Sequence, residues 1–218
     1  MLIGRNYFLI FALGRRQLLA KGENSMDIYS IIDNIHSLPW TSKEKLLGIM
    51  REVEYPKGYC LLHEHKKGQY SYIIIKGVAH AFTEKDGRRA TFWIGKEGDI
   101  IYPAQTYFDN KGEYGTAELL EDCVLYEIDI QRLHQFYQED VHLANWGRRY
   151  AEQTCIRLEK FFIARHFMTA MERYQKLMDE YPDILLRVPL HIIASFLDTS
   201  QVNLSRIRAR KTTSNLTF

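Results

Sequence analysis

Cysteine is scarce in this chain: Cys60, Cys123 and Cys155 are the only three among 218 residues, and they lie far apart. An odd, widely spaced set without a C-x-x-C pair argues against a disulfide framework and against a cysteine-ligated metal or iron–sulfur centre. We interpret them as ordinary, partly buried thiols. The sequence therefore predicts neither a metal site nor a bound cofactor, and it offers no catalytic residues.

Long hydrophobic runs are also missing. The apolar stretch at residues 7–13 is too short to span a bilayer, and Gly14-Arg15-Arg16 follows where a signal peptide needs small cleavage-site residues. A second methionine, Met26, precedes a clearly patterned segment, so we expect residues 1–25 to be an extension, which a misassigned start would explain. These observations predict a cytoplasmic protein without a membrane anchor.

An excess of either charge is absent as well. The chain has 29 lysines and arginines, 27 aspartates and glutamates, and a formal net charge of +2. So weak a bias says nothing about nucleic acid by itself, and the distribution of charge along the chain matters more. Hydrophobic residues make up 46%, which is ordinary for a globular protein with a core.

Two kinds of pattern follow one another after Met26. Residues 27–51 predict helices, because isoleucines recur at helical spacing and Thr41 with Glu44 has the spacing of a capping box. From Val53, short runs rich in Tyr, Ile, Val and Phe alternate with glycine turns as far as about residue 128, which is typical of a sandwich or barrel. Asp86-Gly87 predicts a hairpin between two of these strands.

Helical periodicity returns in a long segment, residues 140–164. One of its sides carries an apolar stripe, formed by Gly147, Ala151, Cys155, Leu158 and Phe162. A helix this long and this apolar on one side needs cover. We expect a parallel helix pair that makes a homodimer; the alternative is packing onto the β domain alone. Thr169 and Glu172 form a second capping box, which opens a further helix through Met178.

The C-terminal segment predicts two short helices joined by a turn. Pro189 starts the first, Asp198-Thr199 is the turn, and Ser200 is a good N-cap for the second, which runs to about Lys211. Ala194 is small enough for a close helix crossing, and the residues expected to fill the shared core are Ile193, Leu197, Leu204 and Ile207. This spacing is that of a helix-turn-helix.

Charge is concentrated in the same segment. Residues 184–218 contain five basic residues, Arg187 among them, and one acidic residue, Asp198, a local excess suited to phosphate. The sequence therefore predicts a DNA-reading helix. Its candidate DNA-binding residues are Ser200, Gln201, Val202, Asn203, Ser205, Arg206, Arg208, Arg210 and Lys211.

The residues from Ile193 to Arg208 resemble the helix-turn-helix of Crp/Fnr-type transcription regulators, and the glycine turns at residues 75–78 and 96–99 resemble their β-roll. The resemblance implies an α+β fold: an N-terminal double-stranded β-helix (a β-roll of the cyclic-nucleotide-binding kind), a long dimerisation helix and a C-terminal helix-turn-helix domain. It implies a homodimer that binds double-stranded DNA and is not an enzyme. The expected divisions are an extension (1–25), a β-roll sensor (26–139), the dimerisation helix (140–165) and the DNA-binding domain (166–218).

The chain departs from relatives that bind cyclic AMP. Those carry Gly-Glu-Leu and then Arg-Ser, where the glutamate holds the ribose and the arginine pairs with the phosphate. Here the loop after Gly98-Asp99 has no glutamate, and Glu113-Tyr114 stands in place of Arg-Ser. We therefore expect no cyclic-nucleotide binding. The clustered cysteines of the oxygen sensors are missing and no haem ligand is identified. An unknown small-molecule effector remains open, with Tyr102, Tyr107 and Tyr114 as candidate pocket-lining residues.

The reading helix departs from the family too. Val202 replaces a common glutamate and can contact only a thymine methyl, Gln201 suits adenine, and Arg206 resembles the family's guanine-reading arginine. Asp198 replaces the usual turn glycine, a position at which aspartate is better tolerated than most residues. Little sequence follows Lys211 for the wing hairpin that many relatives have.

Two alternatives stay open at this point. His63-Glu64-His65 at a strand edge resembles the H-x-H of metal-binding cupins, although Gln69 and Tyr70 stand where a cupin needs glutamate and no histidine follows Pro103 as its second motif requires. The chain would then be a cupin-like sensor. The other alternative is a degenerate cyclic-nucleotide-binding-like sensor or interaction module that does not bind DNA.

Overall fold

The computed structural model describes residues 26–214, and the side chains of residues 26–210. The expected extension at residues 1–25 lies outside this part. The first elements are two helices, α1 (Ile28–Ile35) and α2 (Trp40–Gly48). Asp27 caps α1, where its carboxylate accepts a hydrogen bond from the Tyr29 N–H at 3.4 Å. Ile28, Ile31 and Ile32 are buried, as their helical spacing predicts.

The helical interpretation of residues 27–51 is wrong in two places. Pro39 is the N-cap of α2 and no side chain caps this helix, so Thr41 lies inside the helix and the predicted capping box with Glu44 does not form. Helical structure also ends earlier than predicted, because Met50 and Arg51 begin a strand and pair with Ile128 and Glu127. Partners far along the chain thus override the local pattern.

The β region forms two antiparallel four-stranded sheets, with strand orders β1-β8-β3-β6 and β2-β7-β4-β5. Buried residues between them, including Ile74, Leu119 and Leu125, form the core of the β-roll. A short helix, α3 (Ala104–Asp109), follows β6. The strands are β1 (Met50–Tyr55), β2 (Cys60–Leu62), β3 (Tyr70–Lys76), β4 (Ala79–Lys85), β5 (Arg88–Gly95), β6 (Ile100–Ile101), β7 (Thr116–Leu119) and β8 (Cys123–Asp129).

The predicted hairpin at Asp86-Gly87 is confirmed. Asp86 has φ 53° and Gly87 has φ 75°, so both residues of the turn are left-handed. Such a two-residue turn matches the twist of antiparallel strands. It joins β4 to β5 with Lys85 opposite Arg88.

Two helices follow the β-roll, α4 (Ile130–Glu139) and the long α5 (Val141–Phe167). The N-terminal part of α5 packs on α1 and α2. Its Trp146 is buried, and the indole Nε1–H donates to the Ile32 carbonyl at 3.0 Å. The C-terminal part of α5 does not pack on α1 and α2, so its exposed face is available to other contacts.

Residues 168–214 contain four helices, and the capping box at Thr169 and Glu172 that opens the first is confirmed. Val78 and Leu120 of the β-roll belong to the same buried cluster as Ile192 and Ile193, so these helices pack on the roll. No helix within residues 26–214 combines the length and apolarity needed to cross a membrane. The four helices are α6 (Ala170–Glu180), α7 (Ile184–Arg187), α8 (Leu190–Phe196) and α9 (Gln201–Ser214).

Candidate nucleic-acid interface

The turn between α8 and α9 is held by its own backbone. Asp198 adopts φ 51°, the left-handed conformation that aspartate tolerates better than most residues. The Thr199 N–H donates to the Ala194 carbonyl at 2.9 Å, which closes the turn over α8. Ala194 is 2% exposed, so the approach of the two helices leaves little room for a larger side chain.

Ser200 caps α9 as its sequence position predicts. The Ser200 hydroxyl accepts from the Asn203 N–H at 3.1 Å, and the Asn203 side-chain amide donates to the Thr199 hydroxyl at 2.9 Å. The first turn of α9 is thereby fixed in place. The side chain of Asn203 is thus already engaged within the turn.

The helix pair has the core that the sequence predicts. All five core positions, Ile193, Ala194, Leu197, Leu204 and Ile207, are buried. Burial of one side of α9 turns the other side outward, and Val202 is 63% exposed there. The other exposed candidates on this outer face are Gln201, Asn203, Ser205, Arg206, Arg208 and Arg210. Lys211 continues the helix, but its side chain lies outside the described part.

Arg187 does not belong to this basic surface, although the sequence counted it there. Its guanidinium binds the Glu97 carboxylate with two hydrogen bonds, at 2.7 and 3.0 Å, and also contacts Glu121 and Asp183. These bonds raise the pKa of Arg187 above its usual value. Burial opposes the charge on Glu97, yet the bonds from Arg187 lower the pKa of that carboxyl. Arg187 therefore joins α7 to the β-roll and is not available to phosphate.

The single acid of the C-terminal segment is also engaged. Arg165, near the end of α5, lies 3.1 Å from the Asp198 carboxylate. The pair joins the long helix to the turn of the helix-turn-helix. It also neutralises Asp198, so the outer face of α9 keeps a positive character.

The β-roll holds the helix-turn-helix through Ser195 of α8. Its hydroxyl accepts from the Thr91 N–H of β5 at 2.9 Å and donates to the Arg89 carbonyl at 3.3 Å. Thr91 is 5% exposed, whereas Ser195 is half-buried, so this contact is partly shielded from water. Sequence reasoning missed the role of Ser195, because it depends on a strand more than a hundred residues away.

Glu113 occupies a specific place in the β-roll. Its side chain is 4% exposed, and its carboxylate accepts from the Thr106 N–H at 2.9 Å, the Thr106 hydroxyl at 2.7 Å and the Gln105 N–H at 3.4 Å. An acidic group of the chain itself thus lies against the first turn of α3. By the resemblance, this is the position of the arginine that pairs with a cyclic phosphate in relatives.

The three tyrosines proposed to line a pocket do not all lie together. Tyr102 and Tyr107 pack together with ring centroids 5.1 Å apart, and Tyr107 also contacts His134. Tyr114 lies elsewhere, 52% exposed and against Phe92. The structure thus brings two of the three together and separates the third.

The His63-Glu64-His65 motif lies at the surface. The Glu64 carboxylate accepts from the Thr83 hydroxyl at 2.7 Å, while the His65 side chain is 89% exposed. Within residues 26–214, no three His, Cys, Asp or Glu side chains are grouped in a way that would hold a metal ion. The Glu64 carboxylate of the motif therefore binds β4.

The apolar stripe on α5 is exposed along its C-terminal half. Leu158 is 58% and Phe162 is 63% exposed, and Ala151 and Cys155 are exposed on the same side. Gly147 departs from the predicted stripe, because a Cβ there would lie 2.6 Å from the Tyr137 ring. Gly147 therefore serves the contact between α5 and α4.

Comparison with models of known protein families first identifies a relative of the β domain. Residues 52–140 match the family model described as cyclic nucleotide-binding domain. No curated protein matches the sequence significantly. The β-roll is thus similar to a cyclic nucleotide-binding domain, and the C-terminal helices lie outside the matched residues.

Solved structures show which known proteins share the fold. FixK2 from Bradyrhizobium japonicum superposes with a TM-score of 0.67 at 19% identity, covering 77% of this chain and 87% of FixK2. A putative Crp/Fnr-family transcriptional regulator from Eubacterium rectale gives 0.65 at 14% identity, with 82% and 86% covered. A CooA mutant from Carboxydothermus hydrogenoformans gives 0.62 at 15% identity, with 87% of each chain covered. The chain has the fold of Crp/Fnr-type regulators, which confirms the resemblance found in its sequence.

Proposed function

We propose that this protein is a DNA-binding transcription regulator of the Crp/Fnr type that acts as a homodimer. The observation that carries the proposal is α9: a capped helix, fixed on a buried core, with an outward face of polar and basic residues. A regulator of this kind works in the cytoplasm and has no catalytic activity of its own.

Each candidate residue on the outer face of α9 and at its N-cap has a role in the proposed complex. Arg206 binds guanine, Gln201 binds adenine and Val202 contacts a thymine methyl. Arg208, Arg210 and Lys211 lie nearer the phosphates, whose contacts orient the protein without reading sequence. Ser200, Asn203 and Ser205 complete the surface that faces the groove.

The dimer follows from the stripe on α5. A parallel pair of α5 helices would cover Leu158 and Phe162 and relate the two α9 helices by a two-fold axis. Two such helices enter successive major grooves about 34 Å apart. We therefore expect a palindromic target whose half-sites are separated by about one turn of DNA.

The effector is not a cyclic nucleotide in this proposal. Glu113 already takes the hydrogen bonds at the first turn of α3. A phosphate brought to the same place would meet a carboxylate in a buried setting, where like charges repel strongly.

The test is selection of bound sequences from a random DNA pool with the full chain, followed by titrations at several salt concentrations. We expect enrichment of a palindrome and an affinity that falls steeply with salt. A pool in which no sequence is enriched, with random DNA bound no better than by a neutral protein, would contradict the proposal.

A second candidate function is a small-molecule sensor or interaction module without DNA binding. The exposure of apolar Val202 on the reading face, together with the engaged amide of Asn203, favours it. The selection experiment separates the two, since this module would enrich no sequence. A cupin-like variant of the sensor would additionally need a metal at His63 and His65.

A further inference from the structure

A cavity of about 400 Å³ lies where the β-roll, α5 and the C-terminal helices meet. It is separate from the β-roll interior and from the outer face of α9. Its lining comes from β5 and the loop that follows it, from residues 150–165 of α5, and from the segment that contains α6 to α8. Six aromatic rings line it: Phe92, Trp93, Tyr150, Phe161, Tyr181 and Phe196.

Small residues keep this space open. Gly95 lies under the Trp93 ring, and a Cβ there would be 2.1 Å from the ring. Ala164 is the small residue on the α5 side and is 8% exposed. Phe161 and Phe196 stack with centroids 5.3 Å apart across the helix contact. The volume falls within the range of about 300–1,000 Å³ that small-molecule sites occupy.

The polar groups around this apolar space are mainly cationic. Five lysines and arginines line it, against the two carboxylates of Asp99 and Glu180. Arg157 pairs with Asp99 at 3.0 Å, and Lys176 lies 3.9 Å from Glu180. Arg165 pairs with Asp198, and the Arg173 guanidinium donates to backbone carbonyls. Lys160, which also lines the cavity, forms no ion pair with residues 26–210. A positive charge therefore remains for a ligand.

We propose that this cavity binds an amphipathic carboxylate, a molecule with an apolar body and one anionic head. The body lies among Trp93, Phe161 and Phe196, where its burial removes apolar surface from water. The head faces Lys160 at the margin, where a charge-assisted contact to an ammonium is available. The binding does not depend on the proposed DNA-binding function, and a protein that enriches no DNA sequence can still bind the carboxylate.

The experiment uses the full chain and sodium decanoate as the probe. Calorimetry measures the affinity for decanoate, and a change in tryptophan fluorescence shows whether decanoate binds next to Trp93. We expect a dissociation constant of about 100 μM, in line with the binding efficiency of small ligands. Trp93→Phe should remove the fluorescence change, because Trp40 and Trp146 lie outside the cavity lining. Absence of decanoate binding at millimolar concentration, or a fluorescence change that persists in Trp93→Phe, would overturn the proposal.

Matched ligands test the anionic head. Decanol has the same chain without the charge, and decyltrimethylammonium has the opposite charge. Both should bind at least five-fold more weakly than decanoate. Equal affinity for decanol would show a merely hydrophobic site and would overturn the assignment of a carboxylate.

Matched variants test the cavity. Ala164→Trp should fill the space and weaken decanoate binding at least ten-fold, with circular dichroism confirming the fold. Lys160→Gln should weaken it about five-fold, as expected for a partly exposed charge, while Lys57→Gln, an exposed lysine outside the cavity, should have no effect. Undiminished binding by a folded Ala164→Trp protein or by Lys160→Gln would overturn the location. If Ala164→Trp does not fold, Lys160→Gln and Trp93→Phe decide the question.

Discussion

Single residues of α9 determine which base pair the proposed regulator reads. Arg206 is exposed on the outer face, at the position that resembles the guanine-reading arginine of the family. A bidentate arginine–guanine contact discriminates by about 1–3 kcal/mol. Arg206→Ala should therefore flatten the preference at one base pair in each half-site, as measured by selection from a random pool. Arg132→Ala, an exposed arginine on α4, should leave the preference unchanged; an unchanged preference in Arg206→Ala would contradict the assigned role.

A buried histidine makes stability depend on pH. His80 of β4 is 5% exposed, its Nδ1 has no hydrogen-bond partner within the described residues, and Glu118 is 3.8 Å from Nε2. Burial, with smaller effects from Arg89 and His191, lowers the pKa of His80 to about 4. The folded protein thus binds fewer protons than the unfolded chain between pH 6.5 and 4, so stability falls as pH falls through that window.

The expected loss from His80 between pH 7 and pH 5 is about 2 kcal/mol, given that one pKa unit corresponds to about 1.4 kcal/mol. Urea unfolding at the two pH values measures it. His80→Leu should remove this part of the pH dependence, and His36→Leu, on an exposed histidine, should keep it. A wild-type protein and a His80→Leu variant with the same pH dependence would refute the cause.

At the residue scale, the sequence correctly predicted the roles of residues whose partners lie close to them in the chain. Ser200 as the N-cap and Asp198 in the turn follow from local backbone geometry. Glu113 was recognised as unsuited to phosphate, but not as the acceptor for the first turn of α3, because that turn was not predicted to be helical. The role of Arg187 was misjudged, since its partners Glu97 and Glu121 are brought to it only by folding.

At the scale of elements, α5 carries the proposed dimer. Replacing both Leu158 and Phe162 by glutamate should give a monomer, because charged side chains on the stripe would have to be buried in the helix pair. Light scattering measures the mass. Val141→Glu, at an exposed apolar position at the start of the same helix and outside the stripe, should remain a dimer. A wild-type protein that is already monomeric would disprove the predicted pairing.

The contact between Glu113 and α3 leads to a prediction about ligands. Calorimetry with cyclic AMP should give no binding at millimolar concentration, because the carboxylate is buried where the phosphate would lie. A nucleotide that bound with micromolar affinity would show that the loop can rearrange, and the prediction would fail.

Elements with strong local signals were predicted well. The Asp86-Gly87 hairpin and the capping box at Thr169 depend on residues a few positions apart, and both formed. The start of α2 was placed too late, because Thr41 and Glu44 have the spacing of a capping box, whereas Pro39 is the N-cap of this helix. The early end of α2 is fixed by pairing of β1 with β8, which no local pattern reveals.

At the scale of the whole molecule, Arg187 joins the C-terminal helices to the β-roll. Its side chain is 17% exposed and Glu97 is 10% exposed. Removing one partner of a buried pair leaves the other charge uncompensated, at a cost of about 3 kcal/mol. Arg187→Met should lower the free energy of unfolding by about that amount in urea titrations. Arg132→Met should change it by less than about 0.5 kcal/mol, and an equally small effect of Arg187→Met would rule out this role.

The sequence did not predict how the β-roll, α5 and the C-terminal helices pack on one another. The bonds from Ser195 to β5 and from Arg165 to Asp198 join residues that are distant in the chain, and no spacing rule connects them. The overall fold was accessible because periodicity and turn residues define its elements. The cavity at their meeting point was not, since its lining comes from three separate stretches of chain.

The carboxylate of Glu113 belongs to the same covalent chain as the turn that it binds, so its effective concentration there is constant and no cell can dilute it. A diffusible second messenger rises and falls, whereas this internal anion is present in every copy from the moment of folding. If α3 needs an anion to hold its place, the β-roll supplies one permanently. The conformation of α3 would then not depend on the level of a nucleotide.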